Sequence, residues 1–433
     1  MPHLLCPCGN LFEAPPGPAF CPVCKKLHPL TATKISVECI CGAVLKAPAA
    51  LAGKDAKCPT CGEMVRVPEP AAVMEAAFVE ATPIPRPAPR AVPVTGARRW
   101  LPLAFTLTLI PLALSMFVKD DDVGDRFKKS LAHNPEVSKK VELEAFESMD
   151  ELLLALPERR IEGAFLPKDT WAHWFFAGIA AVCLWGAILL LYPIGNASSA
   201  QLWKIGVFTG TIGILLLLGI QYVAEYTQGI VIIGRGVLTI LFYILKFIGF
   251  SYRAALDPNN GFLMSMLGFT FGVGLCEELF KALPLIWHYR HKATLDLRGA
   301  IAWGLASGIG FGISEGIMYS SDFYNGITTG GIYVVRFVSC VALHAVWTGA
   351  TAILIYRRQQ ELRDVDNWWG WAVPVLKILA ISMVLHGLYD TLLKRDMEFF
   401  ALVTAAGSFA WFYWYSDYVR RLDEDSDPAP VTA

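Results

Sequence analysis

The stretch from Phe262 to Trp287 is almost entirely apolar. At about 1.5 Å per helical residue it is long enough to cross a hydrocarbon layer of roughly 30 Å. It nevertheless carries Glu277, Glu278 and Lys281. Ionisable groups at that depth cost about 2.5–3.5 kcal/mol each on insertion scales, so they face a protein interior, pair with something, and mark function. A chain with 55% hydrophobic and 17% charged residues over 433 positions, and a mean hydropathy of +0.45, is outside the usual soluble range. The expectation is an all-α polytopic membrane protein. A formal net charge of −1 with no concentrated basic face argues against a nucleic-acid partner, because phosphate binding needs clustered Lys and Arg.

Further apolar runs lie at about 100–118, 172–193, 202–223, 228–255, 298–319, 329–355, 371–393 and 399–416. The basic clusters Arg98-Arg99, Tyr289-Arg-His-Lys292, Arg357-Arg358 and Arg420-Arg421 are all expected in the cytosol, since positive charge stays inside. Parity then requires one run to be no crossing. The 228–255 run carries Arg235 and Lys246 and is expected to be re-entrant or interfacial on the outer side. Eight crossings remain, with both termini cytosolic in the cell (inner) membrane. Nine is the alternative count, because Lys394-Arg395 falls outside in the eight-span arrangement. Residues 119–170 are expected to form a small extracytoplasmic helical insert, with an amphipathic helical texture over Val141–Ala155. It serves either as a packing element or as a substrate-gathering cap.

Eight of the eleven cysteines precede residue 62. Cys6-x-Cys8 is followed by Cys21-x-x-Cys24, and Cys39-x-Cys41 by Cys58-x-x-Cys61, so each set of four thiolates can close a tetrahedral site. With no signal-peptide pattern at the amino terminus, reduced thiols and structural Zn2+ are expected in place of disulfides. The two units repeat one another, and they resemble tandem zinc ribbons at residues 1–33 and 34–67. A cytosolic protein contact is their expected use. Residues 68–99 read as a Pro/Ala-rich linker. They are followed by the first span at 100–118, the insert, a polytopic domain over 171–416 and a cytosolic tail over 417–433.

Four consecutive runs carry polar residues at one-face spacings: Glu277, Glu278 and Lys281; Phe311 and Glu315; Arg336 and His344; His386 and Asp390. Counting from the cytosolic ends puts Glu278 and His344 at roughly 15–17 Å depth and Glu315 and His386 at roughly 22 Å, so one intramembrane site can collect them. Any one of these alone reads as a packing or ion-pair residue; together they would need four separate structural explanations at one depth.

The patterns Glu-Glu-x-x-Lys at 277–281, Phe-x-x-x-Glu at 311–315, the His344 helix and His-x-x-x-Asp at 386–390 resemble the PrsW family of intramembrane proteases, distantly related to the CAAX prenyl proteases. The resemblance covers about residues 200–415. It implies hydrolysis of peptide bonds in or beside the membrane, with membrane-anchored regulatory proteins such as anti-sigma factors as substrates. The expected catalytic set is Glu277, Glu278, Lys281, Glu315, His344, His386 and Asp390. A Zn2+ site of Glu278, His344 and His386 would leave a second glutamate as general base. In the metal-free arrangement Glu278 activates water directly and the histidines stabilise the oxyanion. Asp390 is expected to orient His386, and Lys281 to neutralise the acidic pair. Two non-enzymatic readings remain: a proton- or cation-coupled transporter or sensor, which predicts paired half-repeats, and an inert membrane adaptor that uses the ribbons.

Overall fold

The computed structural model describes eight short strands between residues 3 and 66 with flanking residues 53, 54 and 63, then residues 100–117, and 122–426 apart from 144, 292–294, 364, 366 and 367. The chain divides into two compact units, Met1–Ala91 and Val92–Ala433.

In the first unit the strands pair as four antiparallel hairpins. They are β1 (His3–Leu5) with β2 (Leu11–Glu13), β3 (Ala19–Phe20) with β4 (Leu27–His28), β5 (Lys34–Glu38) with β6 (Val44–Pro48), and β7 (Asp55–Lys57) with β8 (Met64–Arg66). Each cysteine pair of the sequence falls between the two strands of one hairpin. The cysteines themselves, and with them the two expected ribbon zinc sites, lie outside the described residues, as does the 68–99 linker.

The second unit is helical. In chain order it contains α1 (Leu101–Ser115), α2 (Val123–Ala132), α3 (Pro135–Glu142), α4 (Met149–Ala155), α5 (Ala172–Leu191), α6 (Ser199–Gly229), α7 (Val237–Leu256), α8 (Phe262–His291), α9 (Leu297–Tyr324), α10 (Gly330–Arg357), α11 (Gln359–Arg363), α12 (Trp368–Lys394) and α13 (Glu398–Ser426). By length and composition seven of these can cross a membrane, namely α5 to α10 and the Gly370–Lys394 part of α12. The protein is an integral membrane protein. The 100–118 run yields only the shorter apolar helix α1, and the 399–416 run lies within α13.

Directions follow from packing. Gly206 lies against Ala306 and Gly310, and Gly210 against Gly310 and Ser314, so α6 and α9 run the same way. The consecutive helices α8 and α9 are antiparallel, with Ser307 Oγ donating to Lys281 O at 2.7 Å. The exit of α6 and the entry of α8 are therefore at one end of the bundle. The segment between them, which contains the 20-residue α7, begins and ends there. It is tied down at the end of α6: Lys246 Nζ donates to Ile230 O at 2.6 Å, Gln228 Nε2 to Lys246 O at 2.9 Å, and Arg253 pairs with Glu225. The helix α10 is antiparallel to α9, with Gly304 on Thr348, Gly308 on His344 and Gly316 on Phe337. The helix α12 is antiparallel to α8, with Gly274 on Met383 and Gly387 on Thr270. Along α10 and α13 the bonds Trp347 to Ser408 and Tyr356 to Asp423 ascend together.

Residues 122–168 pack at the end of the bundle where α9 hands over to α10. A small core of Val137, Leu152, Leu153, Leu156, Ile161 and Ala164 holds this insert together. The backbone pairs it to the α9–α10 connection through Ile161 N–Gly326 O (2.9 Å), Gly326 N–Leu166 O (2.7 Å) and Phe165 N–Thr328 O (2.9 Å). The amphipathic texture at 141–155 does not make one helix. Ser148 accepts from Glu151 N and starts α4 afresh, while α3 has already ended at Glu142, because a serine bonded to its own downstream backbone favours a cap over a helix interior.

Candidate functional site

The donor groups come from four helices. In α8 the π-helical turn Phe269–Gly274 precedes Glu277 and Glu278, and Lys281 follows one turn later on the same face. The Lys281 side chain is completely buried, with Nζ 2.7 Å from Glu278 Oε1 and 3.5 Å from Glu277 Oε2. Its ammonium also lies 2.8 Å from His344 Nδ1 and 4.7 Å above the centre of the Phe311 ring. Phe311 of the Phe-x-x-x-Glu pattern thus forms the floor under the lysine, a cation–π arrangement that substitutes for hydration.

His344 of α10 reaches Glu315 of α9, with Nε2–Oε2 at 2.7 Å. His386 of α12 places Nδ1 3.0 Å from Glu278 Oε1, and its Nε2 lies 3.7 Å from Glu277 Oε2 and 3.4 Å from Asp390 Oδ2. All seven sequence-derived residues therefore meet in one cluster. The hydrogen-bond network assigns the imidazoles. Lys281 can only donate, so His344 Nδ1 presents its lone pair, and the protonated Nε2 faces the Glu315 carboxylate. The Glu278 carboxylate accepts from His386 Nδ1–H, which turns His386 Nε2 toward Glu277 and Asp390.

Glu277, His344 and His386 each offer a donor atom within 4.8 Å of the others. One carboxylate and two imidazoles fit a divalent first-row cation. Of the expected ligands Glu278, His344 and His386, the two histidines converge with Glu277. Glu278 is engaged through Oε1 by Lys281 and His386, and its buried Oε2 has no hydrogen-bond partner.

Sequence reasoning counted Arg336 among the polar residues of the four runs without giving it a role, and gave none to Trp347 or Ser408. Arg336 Nη2 is 2.5 Å from Glu315 Oε1. Trp347 stacks on His386 with centroids 4.7 Å apart and donates from Nε1 to Ser408 Oγ at 3.0 Å. Trp347, three residues after His344, could have been found from helical spacing, whereas Ser408 carries no such signal.

Apolar helices traversing in alternation around a buried carboxylate–imidazole cluster define a polytopic membrane protein with an enclosed, hydrolase-like polar site. A family model described as PrsW family intramembrane metalloprotease matches residues 224–416, the stretch that holds every donor named above. The matched stretch, just under half of the chain, is thus similar to a family of intramembrane proteases. No curated protein and no solved structure matches the chain.

Proposed function

We propose that the protein is an endopeptidase that hydrolyses peptide bonds of membrane-anchored regulatory proteins, such as an anti-sigma factor, with Glu277, His344 and His386 holding a zinc ion. The observation that carries this reading is the convergence of those three donors, from three separate helices, within 4.8 Å. Zinc bound there would polarise the scissile carbonyl and acidify a water. Glu278 Oε2, buried and without a partner, accepts the proton of the attacking water and returns it to the leaving amine. Lys281 and His386 Nδ1 fix the other oxygen of Glu278, so the base is aimed. Glu278 Oε1, accepting from Nδ1–H, orients His386 in place of the expected Asp390, which lies on the Nε2 side, and Glu315 orients His344.

One observation favours a metal-free variant of the same chemistry. The Lys281 ammonium already rests on His344 Nδ1 and near Glu277 Oε2, two of the three donors, so it can serve as the built-in cation while Glu278 activates water. Both variants are tested by reconstituting the chain with a single-span protein and following the two fragments. An active chain that loses cleavage to a chelator and regains it with zinc supports the metal, and chelator-insensitive cleavage supports the lysine. A folded chain that cuts no such substrate overturns both.

Residues 1–67 act as two structural zinc ribbons that bind a cytosolic protein, a reading supported by four hairpins that each bracket one cysteine pair. Metal analysis of the full chain is expected to lose about two zinc ions, one per four thiolates, when Cys6, Cys8, Cys39 and Cys41 are replaced by Ser. An unchanged zinc content would refute it.

Both termini face the cytosol of the cell (inner) membrane and the 119–170 insert faces outward. The support is that the Arg357-Arg358 and Arg420-Arg421 clusters end helices α10 and α13, which run the same way, while the insert packs at their opposite end. Impermeant thiol reagents are expected to label a cysteine introduced at Lys140 in intact cells and one introduced at Gln359 only after permeabilisation. The reverse pattern would invert the arrangement.

A further inference from the structure

We propose that Tyr252 of α7 is a further catalytic residue, whose phenol hydroxyl hydrogen-bonds to the carbonyl oxygen of the scissile peptide bond at the open end of the cluster. The inference rests on the proteolytic reading above and adds to it the side from which the substrate is met.

The cluster is not equally closed on all sides. The Glu278 and Lys281 side chains are fully buried, whereas exposure rises along the other helices toward the end of the bundle where the insert packs. On α12 it goes from 4% at His386 to 24% at Asp390, one turn on. On α10 it goes from 5% at His344 to 12% at Arg336, and on α9 Glu315 is followed one turn later by the exposed Tyr319. The helix α7 finishes at this same end. Lys394 Nζ, from the last turn of α12, donates to Ala255 O at 2.5 Å and to Asp257 O at 2.6 Å, which ties the end of α7 beside the opening. The backbone of α7 lies against Gly268 and Gly272 of α8, and a Cβ at Gly272 would be 2.6 Å from Tyr252 N. Only glycine permits that approach, and it sets Tyr252 alongside the π-helical turn that leads into Glu277.

The neighbours of Tyr252 on α7 are committed elsewhere: Arg253 pairs with Glu225, and Ser251 is buried against Gly268. Tyr252 is half-buried. Its phenol is within electrostatic reach of Glu277, Glu315 and Asp390, one carboxylate from each of three helices, and its hydroxyl has no hydrogen-bond partner among the described residues. An O–H group set among acceptors that it does not reach is left for an oxygen that arrives with the substrate. As the water oxygen bonds to the carbonyl carbon, the π electrons of the C=O bond move onto its oxygen, and the Tyr252 O–H stabilises that developing charge while keeping its proton. Glu278 carries the proton of water to the leaving amine, so the step balances without one from the phenol. A tyrosine that only packed α7 against α8 would act through its ring and would not need the hydroxyl.

The test uses the full chain in lipid bilayers with a single-span substrate. Tyr252→Phe keeps the ring and removes only the hydroxyl. It is expected to lower kcat about 10²- to 10³-fold, the usual cost of deleting one oxyanion hydrogen bond, with KM unchanged because the interaction is made in the transition state. Tyr243→Phe, on the exposed part of α7 where the hydroxyl bonds to Ile232 O at 3.0 Å, should cleave at the wild-type rate. Should Tyr252→Phe fail to fold, p-benzoylphenylalanine at position 252 of the Glu278→Gln chain is expected to crosslink on illumination to substrate residues flanking the cut, and the same group at position 243 is not; crosslinking at 243 alone would overturn the proposal. A folded Tyr252→Phe chain that keeps the wild-type kcat overturns the role of Tyr252 and leaves the proteolytic reading standing. A wild type that cleaves nothing refutes that reading and takes the role of Tyr252 with it.

Discussion

Glu278→Gln is expected to lower cleavage of a co-reconstituted single-span substrate by about 10²- to 10⁴-fold, the range for losing a general base. The substitution keeps the side-chain volume and can still accept from Lys281 through its amide oxygen, so the helix bundle should persist. What disappears is the anionic Oε2 that has no partner in the buried cluster and is the proposed acceptor for the proton of water. Glu278→Ala should do no less. Glu277→Gln, His344→Ala and His386→Ala should share the loss but differ in kind, because they would also weaken the proposed zinc site, whereas Glu278→Gln should leave it intact. A surface change such as Gln359→Ala is the control. Wild-type cleavage by the Glu278 and both His variants would show that the cluster is structural.

Gly308→Ala should be nearly as damaging although Gly308 touches no donor. A Cβ at that position would lie 2.3 Å from the carbonyl oxygen of His344 and 2.6 Å from Ala345 Cα. These are backbone atoms that cannot swing aside, so α10 must shift away from α9. Overpacking of this kind costs about 1–3 kcal/mol. A displacement of even 1 Å between Glu315 and His344 can reduce the rate by about 10²-fold. Gly219, whose added Cβ would meet nothing within 4 Å, is the matched control, and Gly219→Ala should leave both melting and cleavage unchanged. If Gly308→Ala cleaves at the wild-type rate, the close approach of α9 and α10 is not what holds the histidine.

These two predictions separate what the sequence could say from what it could not. The presence of ionisable residues in four successive apolar runs was enough to collect Glu277, Glu278, Lys281, Glu315, His344, His386 and Asp390 into one site, because each of them is costly in lipid unless it meets the others. The division of labour between Glu277 and Glu278 was not legible. Adjacent helical residues point about 100° apart, and without the positions of the neighbouring helices either carboxylate could face the histidines. Lys281, three and four residues on, reaches both and settles nothing. Arg336 was noted among the polar residues of its run but given no role: a separation of eight residues from His344 is about 80° off one face of a regular α-helix, the π-helical turn between them brings the two together, and no residue type announces that turn. The insert was legible as helical, but its break at Ser148 was hidden beneath a hydrophobic pattern that continues through it.

The unequal burial of the helices has a consequence for how the enzyme meets its solvent. Over an apolar 18-residue stretch of each helix, the shares of residues buried are 28% in α5, 28% in α6 and 17% in α7, none of which supplies a donor, against 50% in α8, 72% in α9, 83% in α10 and 39% in α12, which supply all of them. The apolar surface left open to lipid therefore lies mainly on segments that supply no donor, while the glycine-seamed contact of α9 and α10 keeps Glu315 and His344 on the inward side.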